Sequence, residues 1–208
     1  MTGTVTARGE AVVPGRPDEG IWSIDLSALD ASPDAALADV GDRSLALEAL
    51  LDALDVPRQM RSTTGMTVRE EFDHVEGKQV HRGFRAQTLL TVRLQDPSLA
   101  GRLIQGAIER AKATVRGPVW WIAPDNPARL EACRRATLAA KRKAEAYAEA
   151  LGLRLGGVAE VREPSSEVHP LPRASGGVLR AMAEPAIEVD PGELNVEAQV
   201  EVSFHLEG

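Results

Sequence analysis

The chain has 208 residues, of which 43% are hydrophobic and 26% are charged, and its formal net charge is −7. This composition is that of an ordinary globular protein and not of a disordered one. The negative charge argues against a nucleic-acid partner, because binding to phosphates needs a cationic surface. The one cysteine, Cys133, excludes an internal disulfide and any cysteine-based zinc site.

The sequence also bears on location. It contains no run of about 18 consecutive apolar residues, so no membrane span is predicted. The first residues, MTGTVTARGEAVV, lack a basic leader followed by an apolar segment of roughly 7–15 residues. A cytoplasmic location is therefore predicted, with a periplasmic or exported location as the alternative if a leader has been removed.

Two strands and a helix are predicted first. Apolar and polar residues alternate at the start of the chain, which is typical of strands with one face on a core and one in solvent. The apolar positions are Val5, Ala7, Ala11 and Val13, followed by Trp22, Ile24, Leu26 and Ala28. Ser32 can then cap a helix whose first residue is Pro33. The apolar face of this helix is predicted to be Leu37, Val40, Ser44, Leu47, Leu51 and Leu54.

A long hairpin follows. A weaker strand from Arg58 to Asp73 is predicted to turn at Gly77 and to pair with the next strand. The apolar face of that second strand is predicted to be Phe84, Ala86, Thr88, Leu90, Val92 and Leu94. Asp96 and Pro97 can open a second helix, with Leu99, Leu103, Ala107 and Ala111 on one face. A short strand is predicted from Val115 to Ile122.

The longest predicted helix lies between Asn126, which can cap it, and Gly152, which can end it in the left-handed conformation. Its apolar face is predicted to be Leu130, Cys133, Thr137, Ala140, Ala144, Tyr147 and Leu151. This stripe is mostly small, so the helix can lie very close to its neighbour. Cys133 is expected to be a small buried thiol, with a redox switch as the alternative. The basic residues of this helix are expected to form a solvated face, because glutamates lie among them.

The C-terminal part is predicted to hold a strand after the long helix, a Pro/Gly-rich loop at 164–193 and a last strand. The apolar positions of the last strand are Val196, Ala198, Val200, Val202, Phe204 and Leu206. The loop is expected to be a flexible excursion or an arm that reaches a neighbouring subunit. The whole order, β-β-α-β-β-α-β-α-β-β, predicts an α+β fold with a largely antiparallel mixed sheet and three helices packed on one face.

Three stretches resemble the SIMPL-domain family, which includes bacterial periplasmic immunogenic and oxidative-stress-defence proteins. They are TVTARGEAVVPGRPDEG, HRGFRAQTLLTVRLQDPSLAGRLIQGAIERA and ACRRATLAAKRKAEAYAEALGLRLGGVAEVRE, in that order along the chain. The resemblance implies a single SIMPL-like domain over residues 1–208. It also implies a fold and an assembly habit more than an activity. Members are not known as enzymes, some form ring-like or channel-like homo-oligomers, and proposed roles include envelope stress tolerance and adaptor-type signalling.

The resemblance implies no catalytic, cofactor-binding or metal-binding residue, because the family motif consists of structural positions. The residues themselves offer two candidates. His74 and His81 flank the hairpin turn and could face each other, with Glu76 nearby, as a two-histidine, one-carboxylate metal site. Trp120 and Trp121 are adjacent, so their rings should point to opposite faces, one in the core and one at a subunit interface or ligand groove.

The expected function is a non-enzymatic, self-assembling or protein-interaction module of the SIMPL type, with a link to stress response implied by the resemblance. It is expected to form homo-oligomers and to need no cofactor. One alternative is a small-ligand- or metal-binding protein or an enzyme that uses the His74/His81 region. Another is an adaptor that binds a signalling partner through residues Ser165 to Pro191.

Overall fold

The structure is a computed structural model that describes residues 3–75, 77–163, 171–172 and 189–208. Within these residues lie the helices α1 (Pro33–Ala53), α2 (Ala100–Ala111) and α3 (Pro127–Ala150). The strands are β1 (Gly3–Gly15), β2 (Glu19–Asp30), β3 (Arg61–Val75), β4 (Lys78–Leu94), β5 (Thr114–Trp121), β6 (Arg154–Arg162), the two-residue β7 (Leu171–Pro172) and β8 (Leu194–Glu207). The α+β class and the predicted order of the elements are confirmed.

The strands are divided between two sheets, and their pairings within the described residues are antiparallel. Sheet I has the order β1-β8-β6, with β7 also paired to β8, and sheet II has the order β3-β4-β2-β5. The chain correspondingly forms two compact units. Within the described residues, one unit holds 3–18, 122–163, 171–172 and 192–208, and the other holds 19–75, 77–121 and 189–191.

Sheet II carries α1 and α2 on one face. As predicted, Ser32 caps α1 by accepting a hydrogen bond from the backbone N–H of Ala35, and Pro33 is the first helical residue. The predicted apolar positions of β2 and most of those of α1, α2 and β4 are buried in one cluster, with Trp22, Ile24 and Leu26 fully inaccessible. The alternation of apolar residues along the strands and their helical spacing along α1 and α2 therefore identified most of this core correctly.

Among the described helices, α3 is the one that packs on sheet I, and it does so at very short range. The buried side of α3 meets Ala7 of β1 and the apolar side chains of β8. A Cβ added to Gly9 would lie 1.9 Å from the carbonyl oxygen of Ala136 and 2.6 Å from the backbone nitrogen of Ala140. The helix backbone thus rests directly on the strand, as the small size of the predicted stripe indicated.

The predicted composition of that stripe is only partly correct, because Ala140 and Ala144 are buried as predicted but the other five predicted residues are not. The buried residues of α3 are alanines at every fourth position, namely Ala132, Ala136, Ala140, Ala144 and Ala148. Leu130, Tyr147 and Leu151 are about half exposed or more, and Cys133 is an exposed thiol. The reason is steric: a backbone that lies this close to Gly9 leaves room for methyl groups only, so the larger apolar residues are turned away. The expectation of a buried Cys133 fails for the same reason.

Several predictions about the chain lie partly or wholly beyond what the structure describes. Within 164–193 it describes only 171–172 and 189–193, so the loop and any arm lie outside the described residues. The single domain over 1–208 stays a prediction. Among the helices of the described residues, none is long and apolar enough to cross a membrane.

Candidate interaction surface

The β3–β4 hairpin is largely exposed to solvent. β3 is an edge strand, and among the described residues it pairs with β4 alone. Every residue from 62 to 75 is exposed except Glu71, which is half-buried. We call the side of residues 66–75 that faces away from β4 the free β3 edge. Its backbone N–H and C=O groups have no strand beside them in the described part of the chain, which is a template for pairing with another strand.

The base of the hairpin is held firmly. The Arg61 guanidinium donates hydrogen bonds to the carboxylates of Glu48 and Asp52 on α1 and to the carbonyl of Val56. Its side chain is only 6% exposed. A register shift follows at Gly65, whose carbonyl accepts a hydrogen bond from the buried Thr88 hydroxyl at 2.8 Å. The strand beyond Gly65 therefore starts from a fixed position.

One face of the hairpin carries apolar side chains that no other described element covers. Met66 and Val68 lie opposite Thr88 and Ala86 of β4, so they share the face on which α1 packs. α1 lies over β2 and β4 and touches β3 only slightly. As a result Thr88 and Ala86 are buried, whereas Met66 is 48% and Val68 is 39% exposed.

An aromatic cluster continues the apolar face toward the turn. A second register shift, between Glu71 and Phe72, places Phe72 opposite His81. The rings of Phe72 and His81 meet edge to face at a centroid distance of 5.3 Å, and those of His81 and Phe84 do the same at 5.3 Å. Phe72 remains 43% exposed. This face therefore offers side chains suited to contact with another protein.

The opposite face of the hairpin is charged. Arg85 donates two hydrogen bonds to the Glu71 carboxylate, one of them at 2.7 Å. This pairing holds the pKa of Glu71 below its ordinary value, and the positive charges of Arg69 and Arg82 act in the same direction. Arg69 itself lies directly opposite Arg85 in the register and makes no hydrogen bond from its side chain within the described residues. Arg69 and Arg85 are therefore like charges that face each other, and in the described part of the chain Arg69 has no hydrogen-bonded counter-ion.

The predicted metal site is not formed as expected. His74 lies opposite Gln79 and His81 lies opposite Phe72, so the two histidines are not a facing pair. Glu76, the predicted third ligand, lies outside the described residues, as does His169. Among the residues that the structure does describe, no group of three potential metal ligands is found.

The two adjacent tryptophans contact different residues. Trp120 packs edge to face against the fully buried Trp22, with ring centroids 5.9 Å apart. Trp121 lies beneath the Arg93 guanidinium, whose carbon is 5.4 Å from the ring centroid, and Arg93 also donates to the buried Glu19 carboxylate. Both rings are half-buried. The interface role of Trp120 or Trp121 stays a prediction.

A depression of about 440 Å³ lies where β1 meets the first turn of α3. Its polar lining residues are Arg16, Asn126 and Glu131, and Asn126 caps α3 by accepting from the N–H of Ala128 at 2.9 Å. The Asn126 amide nitrogen donates to the Asp18 carboxylate at 2.9 Å. These bonds are those of a helix cap, so the fold explains the position of the Asn126 amide.

Comparisons with known proteins identify the family of the chain. The SIMPL family, described as "Protein of unknown function (DUF541)", matches residues 5–204. The chain therefore belongs to the SIMPL family. It is 26% identical over 215 residues to the 26 kDa periplasmic immunogenic protein of Brucella melitensis, across 97% of this chain and 84% of that protein. It is 24% identical over 208 residues to the uncharacterized protein YggE of Escherichia coli K12, across 98% of this chain and 83% of that protein.

Among solved structures, an unknown protein from Galdieria sulphuraria matches 89% of this chain and 82% of its own, with 14% identity and a TM-score of 0.24. A similarity of this size carries no argument about fold or function. The Brucella relative is named as periplasmic, so the predicted cytoplasmic location gains no support from the relatives.

Proposed function

We propose that this protein is a self-assembling or protein-interaction module that carries out no reaction of its own. The observation that carries the proposal is the β3–β4 hairpin. Within the described residues it combines an edge strand that is unpaired on one side over ten residues with an apolar face that α1 and α2 leave uncovered. Soluble proteins rarely leave both features on one element unless another chain covers them.

The two edge strands of sheet II, β5 and β3, differ in how well they can pair with a further strand, and this difference supports the proposal. β5, at one edge, contains Pro118, which has no N–H to offer and so discourages further pairing. Residues 66–75 of β3, at the other edge, contain no proline and no glycine. They also carry alternating apolar side chains, so β3 is the edge of this sheet that is equipped to accept a strand.

Sheet I contributes a second exposed apolar strip. Val158 and Val161 of the edge strand β6 lie opposite Phe204 and Val202 of β8, on the face that carries α3, yet both are exposed. In each sheet, the helices thus leave apolar side chains of one edge strand exposed on the face that they otherwise cover. This surface favours contact with protein over binding of a small ligand.

Light scattering over a wide range of protein concentrations tests the proposal. The wild-type protein is expected to show a mass that rises with concentration to that of an oligomer. Val68→Lys places a charge on the uncovered face and should raise the concentration needed for assembly by at least about tenfold. The matched control is Leu45→Lys, at a 71% exposed position on α1, which should leave assembly unchanged. A wild-type protein that stays monomeric at the highest concentration would refute the assembly part of the proposal.

The cellular location and the physiological process are further parts of the proposal. A role in stress tolerance is a prediction drawn from the family resemblance. Fractionation of cells that express the protein from its native gene would separate a cytoplasmic location from the periplasmic one that the name of the Brucella relative suggests. Recovery in the periplasmic fraction would overturn the cytoplasmic prediction and leave the assembly proposal untouched.

A further inference from the structure

We infer that the free β3 edge pairs with the same edge of a second copy of this chain, antiparallel and with Glu70 opposite Glu70 of the second copy. The inference rests on the proposed self-assembly and names its partner and its register. It joins sheet II of two copies into one continuous sheet. The reasons are the geometry of strand pairing and the order of charged and apolar residues along β3.

Symmetry limits the possible registers. Two identical antiparallel edges in one sheet are related by a two-fold axis perpendicular to the sheet, and directly paired residues then project to the same face. Residues on the apolar face, such as Met66 and Val68, can pair only with residues of that same face. The two-fold axis must therefore pass beside one residue of β3, which then lies opposite the same residue of the second copy. Each choice of that residue defines one allowed register.

An axis at Glu70 matches the charges on the polar face. It places Arg69 of each copy opposite Glu71 of the other, so the contact occurs twice. Within one chain Arg69 faces Arg85 and has no hydrogen-bonded acceptor among the described residues. A carboxylate from the second copy supplies that acceptor. Opposite charges that face each other across a strand pair stabilise it.

The same axis also matches the apolar face. Val68 of each copy lies opposite Phe72 of the other, and Met66 lies opposite His74. The exposed side chains of two hairpins then form one strip, which buries Val68 and Phe72 against each other where α1 does not reach. Pairs of an aromatic and a β-branched residue are among the favourable cross-strand contacts.

Both neighbouring registers lose the pairing of Val68 with Phe72. With the axis at Arg69, two arginines face each other and Val68 lies opposite Glu70. With the axis at Glu71, Arg69 lies opposite Asp73, but two glutamates face each other and Phe72 lies opposite Glu70. Each of these registers sets a charge against an apolar side chain twice. The inferred register has one unfavourable contact, between the two Glu70 carboxylates on the axis, and this contact provides a specific test.

The register is measured by a cysteine scan in a Cys133→Ser background, which removes the exposed native thiol. Single cysteines are introduced at positions 68, 69, 70, 71 and 72, and the full-length variants are oxidised mildly. Directly opposite residues have Cβ atoms about 4.5–5.5 Å apart, close enough for a disulfide after small shifts. The yield of disulfide-linked dimer is expected to peak at Glu70→Cys. Circular dichroism and thermal melting confirm that each variant is folded.

A second variant uses the contact on the axis. Glu70→Gln removes the like charges, so it should tighten association by roughly two- to fivefold. Glu149→Gln, at an exposed position on α3, is the matched control and should have no effect.

The outcomes separate this inference from the proposed function. A disulfide maximum at Glu70→Cys together with tighter association of Glu70→Gln supports it. A maximum at another position, or no disulfide at any of the five in a protein that still assembles, overturns the register or the surface and leaves self-assembly standing. A monomeric wild-type protein overturns both.

Discussion

The close contact between α3 and β1 gives the sharpest test of the fold, through the substitution Gly9→Ala. The added methyl carbon would lie 1.9 Å from the carbonyl oxygen of Ala136 and 2.6 Å from the nitrogen of Ala140. Both are backbone atoms in the middle of a long helix, so they cannot rotate away as a side chain does. To reach an ordinary contact of 3.4 Å, the helix must retreat by about 1.5 Å at this point.

The cost of that retreat follows from what α3 covers. Gaps of about 0.5–1 Å already forfeit a quarter to a half of the dispersion energy of each contact. The alanines of α3 would lose such contacts with Val200, Val202 and Phe204 of β8. Overpacking of this kind costs typically about 1–3 kcal/mol. We expect a value near the upper end, about 3 kcal/mol, because backbone atoms block the methyl group.

Thermal unfolding measures the effect. In a chain of this size about 3 kcal/mol corresponds to a fall in Tm of roughly 6–12 °C. All three tryptophans lie in the unit of sheet II, so far-UV circular dichroism and calorimetry are better probes of sheet I than fluorescence. Gly157→Ala on β6 is the matched control, because nothing lies within 4 Å of its added carbon, and it should change stability by less than about 0.5 kcal/mol. A Gly9→Ala protein that melts within about 2 °C of wild type would refute the close packing of α3.

Three further predictions concern the hairpin and α3. Arg61→Ala should lower the free energy of unfolding by about 2 kcal/mol in denaturant titrations, because it leaves two carboxylates of α1 without their buried partner; Arg82→Ala, which removes an exposed pair, should cost less than about 0.5 kcal/mol. The Glu71 carboxyl should titrate below its ordinary pKa of 4.5 in an NMR pH series, and Arg85→Gln should raise that pKa. Since the folded pKa is the lowered one, this pair should stabilise the fold above about pH 4.5 and lose its effect as the pH falls through the lowered pKa. Cys133 should react with a thiol reagent in the native protein as fast as in the unfolded one, within about a factor of ten, whereas strong protection would contradict its exposure.

The local elements were largely predictable from the sequence because their causes are local. Ser32 and Asn126 cap their helices by accepting hydrogen bonds from N–H groups two or three residues later in the chain. Gly152 follows the C-terminal end of α3 with a positive φ of 70°. The alternation of apolar and polar residues along β2, β4 and β8 indicates that one face of each strand is buried. This holds whichever strand lies beside it. These features need no knowledge of the rest of the chain.

The candidate surface was only partly predictable. The hairpin and its turn at Gly77 were predicted, but Met66, Val68 and Phe72 were not recognised as an interaction face. Their even-numbered spacing along a weak strand was the available signal. It shows that one face is apolar, yet it cannot show whether a helix of the same chain covers that face.

By itself the sequence determined which segments form strands and helices and in what order, because capping, turn and alternation patterns act over a few residues. The tertiary structure alone decided which strands share a sheet, which side of α3 is buried and which edge of sheet II is left open. The physical reason is that these outcomes depend on distances between segments far apart in the chain. At the contact with Gly9 such a distance admits only the methyl groups of alanine, and at β3 the lateral reach of α1 leaves apolar side chains in solvent.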